Sequence, residues 1–117
     1  MKNDEELDQI EFMNWLKRNH YEIWLKTHHS PNGGHRHKAV AAKLKLMGTK
    51  RGFPDLVFYH PVGKWSGLVI EAKARKGGRT STEQKDWLEI LSSCGFQTHV
   101  CPGIDSIKQT FLDYLEG

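Results

Sequence analysis

The chain has 117 residues, 17 Lys and Arg against 14 Asp and Glu, 38% apolar residues and 26% charged ones. Those values fit one soluble globular domain with a single core and exclude a disordered or two-domain chain. No apolar run approaches the roughly 20 residues a membrane helix needs, and the acidic, polar Met1–Glu6 stretch is not expected to act as a signal peptide.

The two cysteines, Cys94 and Cys101, flank a predicted strand. They make neither a disulfide framework nor a zinc motif, so a reducing cytoplasm is the expected setting. The net charge of +3 is unevenly spread: Lys26 to Arg51 holds seven Lys and Arg and no acid, a second basic run spans Lys73 to Arg79, and acids crowd the first eleven residues. Such segregation suits a polyanion-binding face beside an acidic pocket, although charge runs also occur on merely solvated faces.

Taken in order, residues 4 to 19 read as a helix capped by Asn3 or Asp4, with Leu7, Ile10, Met13 and Leu16 recurring at three-residue spacing. Tyr21 to His28 alternates as a strand, and Ser30-Pro31-Asn32-Gly33-Gly34 is a turn. Arg36 to Met47 reads as a helix with Val40, Ala41, Leu44 and Met47 inward and Lys38, Lys43 and Lys45 outward, closed by Gly48. A cationic helix leaving a Gly-rich loop suits contact with a nucleic-acid backbone.

Two strand-length apolar runs, Gly52 to Tyr59 and Gly67 to Lys73, follow, joined by a Pro- and Gly-containing connection in the manner of a β-hairpin. Then come a loop, a helix from about Glu83 to Ser93 capped by Ser81 or Thr82, a last strand Phe96 to Cys101 and a closing helix Ile104 to Leu115. The expected fold is α/β: a small mixed sheet built on the central hairpin, with helices on both faces.

The hairpin carries the chemistry. Asp55 opens its first strand, and Glu71 and Lys73 close the second, so antiparallel pairing brings both carboxylates to one end of the sheet. Period two puts Glu71 and Lys73 on the same face. Two carboxylates, with the Ala72 carbonyl between Glu71 and Lys73, suit a hard divalent cation, Mg²⁺ or Mn²⁺, and call for no organic cofactor. Lys73 would orient or deprotonate a water or stabilise negative charge. The bland alternative is an exposed ion-pair cluster. His28, His29, His35 and His37 gather near the turn, but their spacing matches no zinc motif.

Pro54-Asp55 followed by Glu71-x-Lys73 resembles the signature of the PD-(D/E)xK nuclease superfamily. The flanking residues resemble its virus-type replication-repair branch, the VRR-NUC domain. They are Pro31-Asn32-Gly33-Gly34-x-Arg36, Leu44-Lys45-x-x-Gly48, Gly52-x-Pro54-Asp55-Leu56, Gly67-Leu68-x-Ile70-Glu71-x-Lys73, Ser81-x-x-Gln84-x-x-Trp87, Gly95, and Glu5-x-x-x-Gln9 with Trp15. The likeness runs through nearly the whole chain as one domain, residues 1–117.

The resemblance implies a restriction-endonuclease-like core and a metal-dependent DNA endonuclease. Asp55, Glu71 and the Ala72 carbonyl would hold the ion, with Lys73, Gln84 and a first-helix acid, Glu5 or its neighbour Glu6, assisting. His29, Asn32, Gly33, Gly34, Arg36, Lys38, Lys45, Arg75, Lys76 and Arg79 would contact DNA. It further implies branched DNA such as four-way (Holliday) junctions, a role in DNA repair, a bacterial or phage-infected cell, and a homodimer. A non-catalytic DNA-binding module and a sequence-specific restriction enzyme are the alternative readings. Phe12, Trp15 and Trp24 are expected in the core rather than an interface.

Overall fold

A computed structural model describes residues 4–31, 37–76 and 78–117. The elements in order are α1 (Asp4–Asn19), α2 (Tyr21–Trp24), β1 (Thr27–His29), α3 (Lys38–Leu46), β2 (Leu56–Phe58), β3 (Gly67–Lys73), α4 (Thr82–Ser93), β4 (Phe96–Pro102) and α5 (Ile104–Leu115). The Asn32–Arg36 part of the turn and Gly77 lie outside the described residues.

The strands form one sheet in the order β1-β2-β3-β4. The first two pairings are antiparallel and β3 to β4 is parallel, α4 making the crossover. The hairpin expected from sequence is the centre of this mixed sheet. All seven residues of β3 are buried, as expected of a strand covered on both faces.

Alternation along β2 and β3 divides the sheet into two unlike faces. Leu56, Phe58, Leu68, Ile70 and Ala72 point to the face that joins Phe12 and Leu16 of α1 and Ile107 and Phe111 of α5 in the core. Phe58 stacks on Phe111 at 5.6 Å, and Phe12 meets both rings edge-on at 6.0 Å. Val57, Val69, Glu71 and Lys73 have the opposite parity, and Glu71 and Lys73 hydrogen-bond to α4. Phe12 is fully buried, while Trp15 and Trp24 pack against the core.

Three expectations need correction. Tyr21 to His28 is not one strand: Tyr21–Trp24 forms a helical turn that buries Ile23 and stacks Tyr21 on Trp24, and pairing starts only at Thr27. Alternation of aromatic and branched residues also fits one tight turn when a preceding helix must be redirected.

The buried face of α1 is Asp8, Phe12 and Leu16, whereas Leu7 and Ile10 are 50% and 44% exposed. The large aromatic at position 12 sets the helix rotation because it buries more area than either aliphatic. Finally, α3 buries none of its residues, so Val40, Ala41, Leu44 and Met47 do not line the core.

The contrast between α1 and α3 can be measured. Phe12→Ala is expected to cost about 3–5 kcal/mol in urea unfolding. Leu46→Ala, with its side chain in solvent, is expected to stay within about 0.5 kcal/mol of wild type.

Candidate active site

The β2–β3 register pairs Leu56 with Ile70, and one further step sets Asp55 opposite Glu71. The two acids are held by crossed hydrogen bonds. The Ala72 amide donates to Asp55 Oδ2 at 2.8 Å, and the Asp55 amide donates to Glu71 Oε1 at 3.2 Å. Each acid is thus fixed by backbone next to the other, which defines their separation more firmly than side-chain contacts would.

Glu71 Oε2 faces Lys73 Nζ at 3.3 Å and accepts from Gln84 Nε2 at 2.7 Å. Gln84 Oε1 in turn accepts from Lys73 Nζ at 2.7 Å and from the Ser81 amide at 2.8 Å. The Gln84 amide donates to Ser81 Oγ, which completes a capping box. Gln84 therefore serves twice, as the residue that starts α4 and as the brace that fixes the Glu71–Lys73 geometry.

Two glycines let these parts approach. Gly52 has φ +81°, and a Cβ there would lie 2.7 Å from Glu83 Cβ and 3.0 Å from the Gln84 nitrogen. Phe53 then packs edge-on against Trp87 at 5.1 Å, tying the segment before Asp55 to α4. At Gly78 a Cβ would stand 2.9 Å from Lys73 Cβ, so only glycine leaves the lysine its place.

A pocket of about 430 Å³ opens over this cluster. Asp55, Glu71, Ala72, Lys73 and Gln84 line it, with Glu5, Glu6 and Gln9 of α1 and with His29, Pro31, Arg51 and Ser81. Glu5 is half-buried and Glu6 exposed, and both reach the cavity. Sequence reasoning did not single out Arg51, which lies beside the glycine motif and forms an ion pair with Glu83 at 3.5 Å.

The expected DNA contacts divide. His29 lines the pocket, and Lys38, Lys45, Lys76 and Arg79 are exposed. Arg75 is also exposed and is paired with the buried Asp8 of α1, Nη2 to Oδ1 at 2.8 Å. No sequence signal marks that pair, because the partners are 67 positions apart. Asn32, Gly33, Gly34 and Arg36 fall outside the described residues. Of the histidines near the turn, His37 caps α3 by accepting from the Ala39 amide through Nδ1.

The acids fit a divalent cation. Burial and the adjacent Asp55 raise Glu71 to about 7, and burial also raises Asp55, so near neutrality the bare pair resists full ionisation. A cation between them would relieve that cost. Among the described residues no three His, Cys, Asp or Glu side chains gather as a ligand set. Two carboxylates completed by a backbone carbonyl, water and substrate oxygen would be the donor set of Mg²⁺ rather than of zinc.

The protein-family comparison matches residues 3–105 to the VRR-NUC domain. The chain belongs to the VRR-NUC family. This VRR-NUC nuclease domain is similar to a solved "VRR_NUC domain protein" with a TM-score of 0.84 and 32% identity, over 99% of this chain and 91% of that one. It is also 40% identical over 53 residues to a "Fanconi-associated nuclease 1 homolog" from Caenorhabditis elegans. That match covers 45% of this chain and 6% of the relative, so the chain spans a small part of that protein. Among the described residues no helix of this VRR-NUC domain is long and apolar enough to cross a membrane.

The acid pair makes a pH prediction. Glu71 is raised from 4.5 to about 7, so the metal-free folded state holds a proton that the unfolded chain gives up over that interval. In EDTA, stability should therefore fall as pH rises from 4.5 to about 7, read as a declining Tm contribution. Mg²⁺ must displace the same proton, so calorimetric affinity should drop up to about tenfold per pH unit below that pKa.

Proposed function

We propose that this VRR-NUC domain hydrolyses DNA phosphodiester bonds with Mg²⁺ or Mn²⁺, acting as an endonuclease selective for branched DNA such as four-way junctions. The observation that supports catalysis most directly is the acid pair Asp55–Glu71, fixed by crossed backbone bonds, with Lys73 and Gln84 at the floor of an open pocket.

In this reading Asp55, Glu71 and the Ala72 carbonyl would hold the ion, with Glu5 of α1 assisting. When bound, the cation polarises the scissile phosphate and lowers the pKa of a water. Lys73 orients the attacking water or stabilises charge building on the phosphate oxygens. Gln84 holds Lys73 and Glu71 in register for that task, so its part is positioning. His29 stands at the pocket wall and would donate to a phosphate.

The cations of α3 and of the Lys76–Arg79 stretch would bind backbone without reading bases, making affinity salt-dependent and sequence-tolerant. Arg75 contributes less to that surface than its neighbours, since its guanidinium is held by Asp8. The branched substrate and its place in DNA repair rest on the family resemblance. Cutting a four-way junction on both sides requires two sites, hence a homodimer.

Linear, flapped and four-way-junction DNA, each with Mg²⁺, Mn²⁺ or EDTA, provide the test. Wild type should cut the junction preferentially and only with metal. Lys73→Ala should lower the single-turnover rate about 10²–10³-fold while binding is retained. Binding without cleavage in wild type would favour a non-catalytic module, and fragments limited to one sequence would favour a restriction-type enzyme.

A further inference from the structure

Two side-chain oxygens among the described residues are shut off from solvent and meet no hydrogen-bond donor, Asp8 Oδ2 and Gln9 Oε1. They are neighbours on α1 but differ in setting. Asp8 is 3% exposed, its other oxygen holds Arg75, and it lines neither cavity beside the helix. Gln9 lines both. It stands where the pocket over the acid pair meets a second groove of about 440 Å³, whose other walls include Ile10, Met13 and Leu56.

A buried acceptor without a donor lowers the stability of the fold that contains it. The packing around Gln9 does not call for an amide. Its groove side is aliphatic, and a methionine at this position would fill much the same volume with no strong acceptor. The oxygen is therefore explained by the pocket rather than by the core.

What completes it must bring a donor. The donors fixed on the pocket floor are engaged already: the Ala72 amide on Asp55, the Asp55 amide and Gln84 Nε2 on Glu71, and Lys73 on Glu71 and Gln84. A DNA phosphate offers only acceptor oxygens and would repel a carbonyl. A hydrated divalent cation differs. Mg²⁺ gives up its waters reluctantly, and its charge makes their O–H groups strong donors. Glu5, one helical turn before Gln9, lines the same pocket, so the two side chains form a wall of acceptors facing the acid pair.

We propose that Gln9 is a positioning residue for the cation, its Oε1 accepting a hydrogen bond from a water of the hydrated ion on the α1 side of the pocket. The proposal rests on the divalent-cation reading of Asp55 and Glu71 given above and adds the residue that orients the ion's free side. It also accounts for the oxygen left over in the metal-free fold, which gains its donor on binding.

Two variants of the full chain separate this role from packing. Gln9→Met removes the acceptor and keeps the volume, whereas Gln9→Glu keeps the acceptor at the same reach. In EDTA, Gln9→Met should melt about 4 °C above wild type, because the orphaned oxygen is gone. Gln9→Glu should melt below wild type, because another acid joins the pocket. In calorimetry without DNA the order reverses. Gln9→Met should bind Mg²⁺ about 10–100-fold more weakly than wild type, and Gln9→Glu at least as tightly as wild type.

Equal Mg²⁺ affinity in Gln9→Met and wild type would overturn the proposal. So would a Gln9→Met that melts below wild type in EDTA, since the oxygen would then have a partner in the fold. A Gln9→Glu as weak for Mg²⁺ as Gln9→Met would show the amide acting as a donor, and a loss confined to junction affinity in EDTA would make Gln9 a DNA contact; either overturns it. Asp55→Asn tells the two readings apart. Mg²⁺ binding that Asp55→Asn abolishes and Gln9→Met leaves unchanged would sink the role of Gln9 and spare the acid-pair site. A wild type that binds no Mg²⁺ would sink both.

Discussion

Antiparallel pairing of β2 with β3 forces two acids, sixteen positions apart in the chain, to sit side by side at one end of a buried strand. Left alone, that arrangement is unfavourable. Burial and mutual repulsion hold Glu71 near 7, and one lysine offsets only part of the cost. The protein keeps the arrangement by surrounding it with fixed donors: two backbone amides, the Lys73 ammonium and the Gln84 side-chain amide. A strained carboxylate pair in a polar cradle is a place where a cation gains more than it would at the surface.

The cradle depends on parts far from the acids. Gln84 can reach Glu71 only because α4 starts at Ser81, and α4 can lie close only because Gly52 lacks a side chain where Glu83 passes. The sheet presents its other face to α1 and α5, whose aromatic rings lock it from behind. Asp8 and Arg75 join α1 to the chain just beyond Lys73, so the helix carrying Glu5 and Gln9 is moored to the exit of β3. Apolar packing sets the position of the sheet, and a few polar links set the position of the helices around its working end.

Charge segregation along the chain has a structural counterpart. Glu5 and Glu6 of α1 line the pocket, and the lysines of α3 stand on an element with little packing of its own.

Much of the site was legible in the sequence because its geometry is local. A hairpin with acids at the start of one strand and the end of the next has a register limited by loop length and by which residues must face inward, so Asp55, Glu71 and Lys73 converge as expected. The hairpin, α5 and the Ser81 cap also follow from short-range rules of turns and helix starts, whereas Gln84 came to notice only through the family resemblance. What sequence could not decide was which side of each helix faces inward. Phe12 outweighs Leu7 and Ile10 in turning α1, and the stripe on α3 finds no core at all. The same holds for the pairing of Arg75 with Asp8, a buried acid 67 residues away that no local pattern links to it. Periodicity identifies an apolar stripe, but only the packed chain determines what covers it, since that depends on contacts between segments distant in sequence.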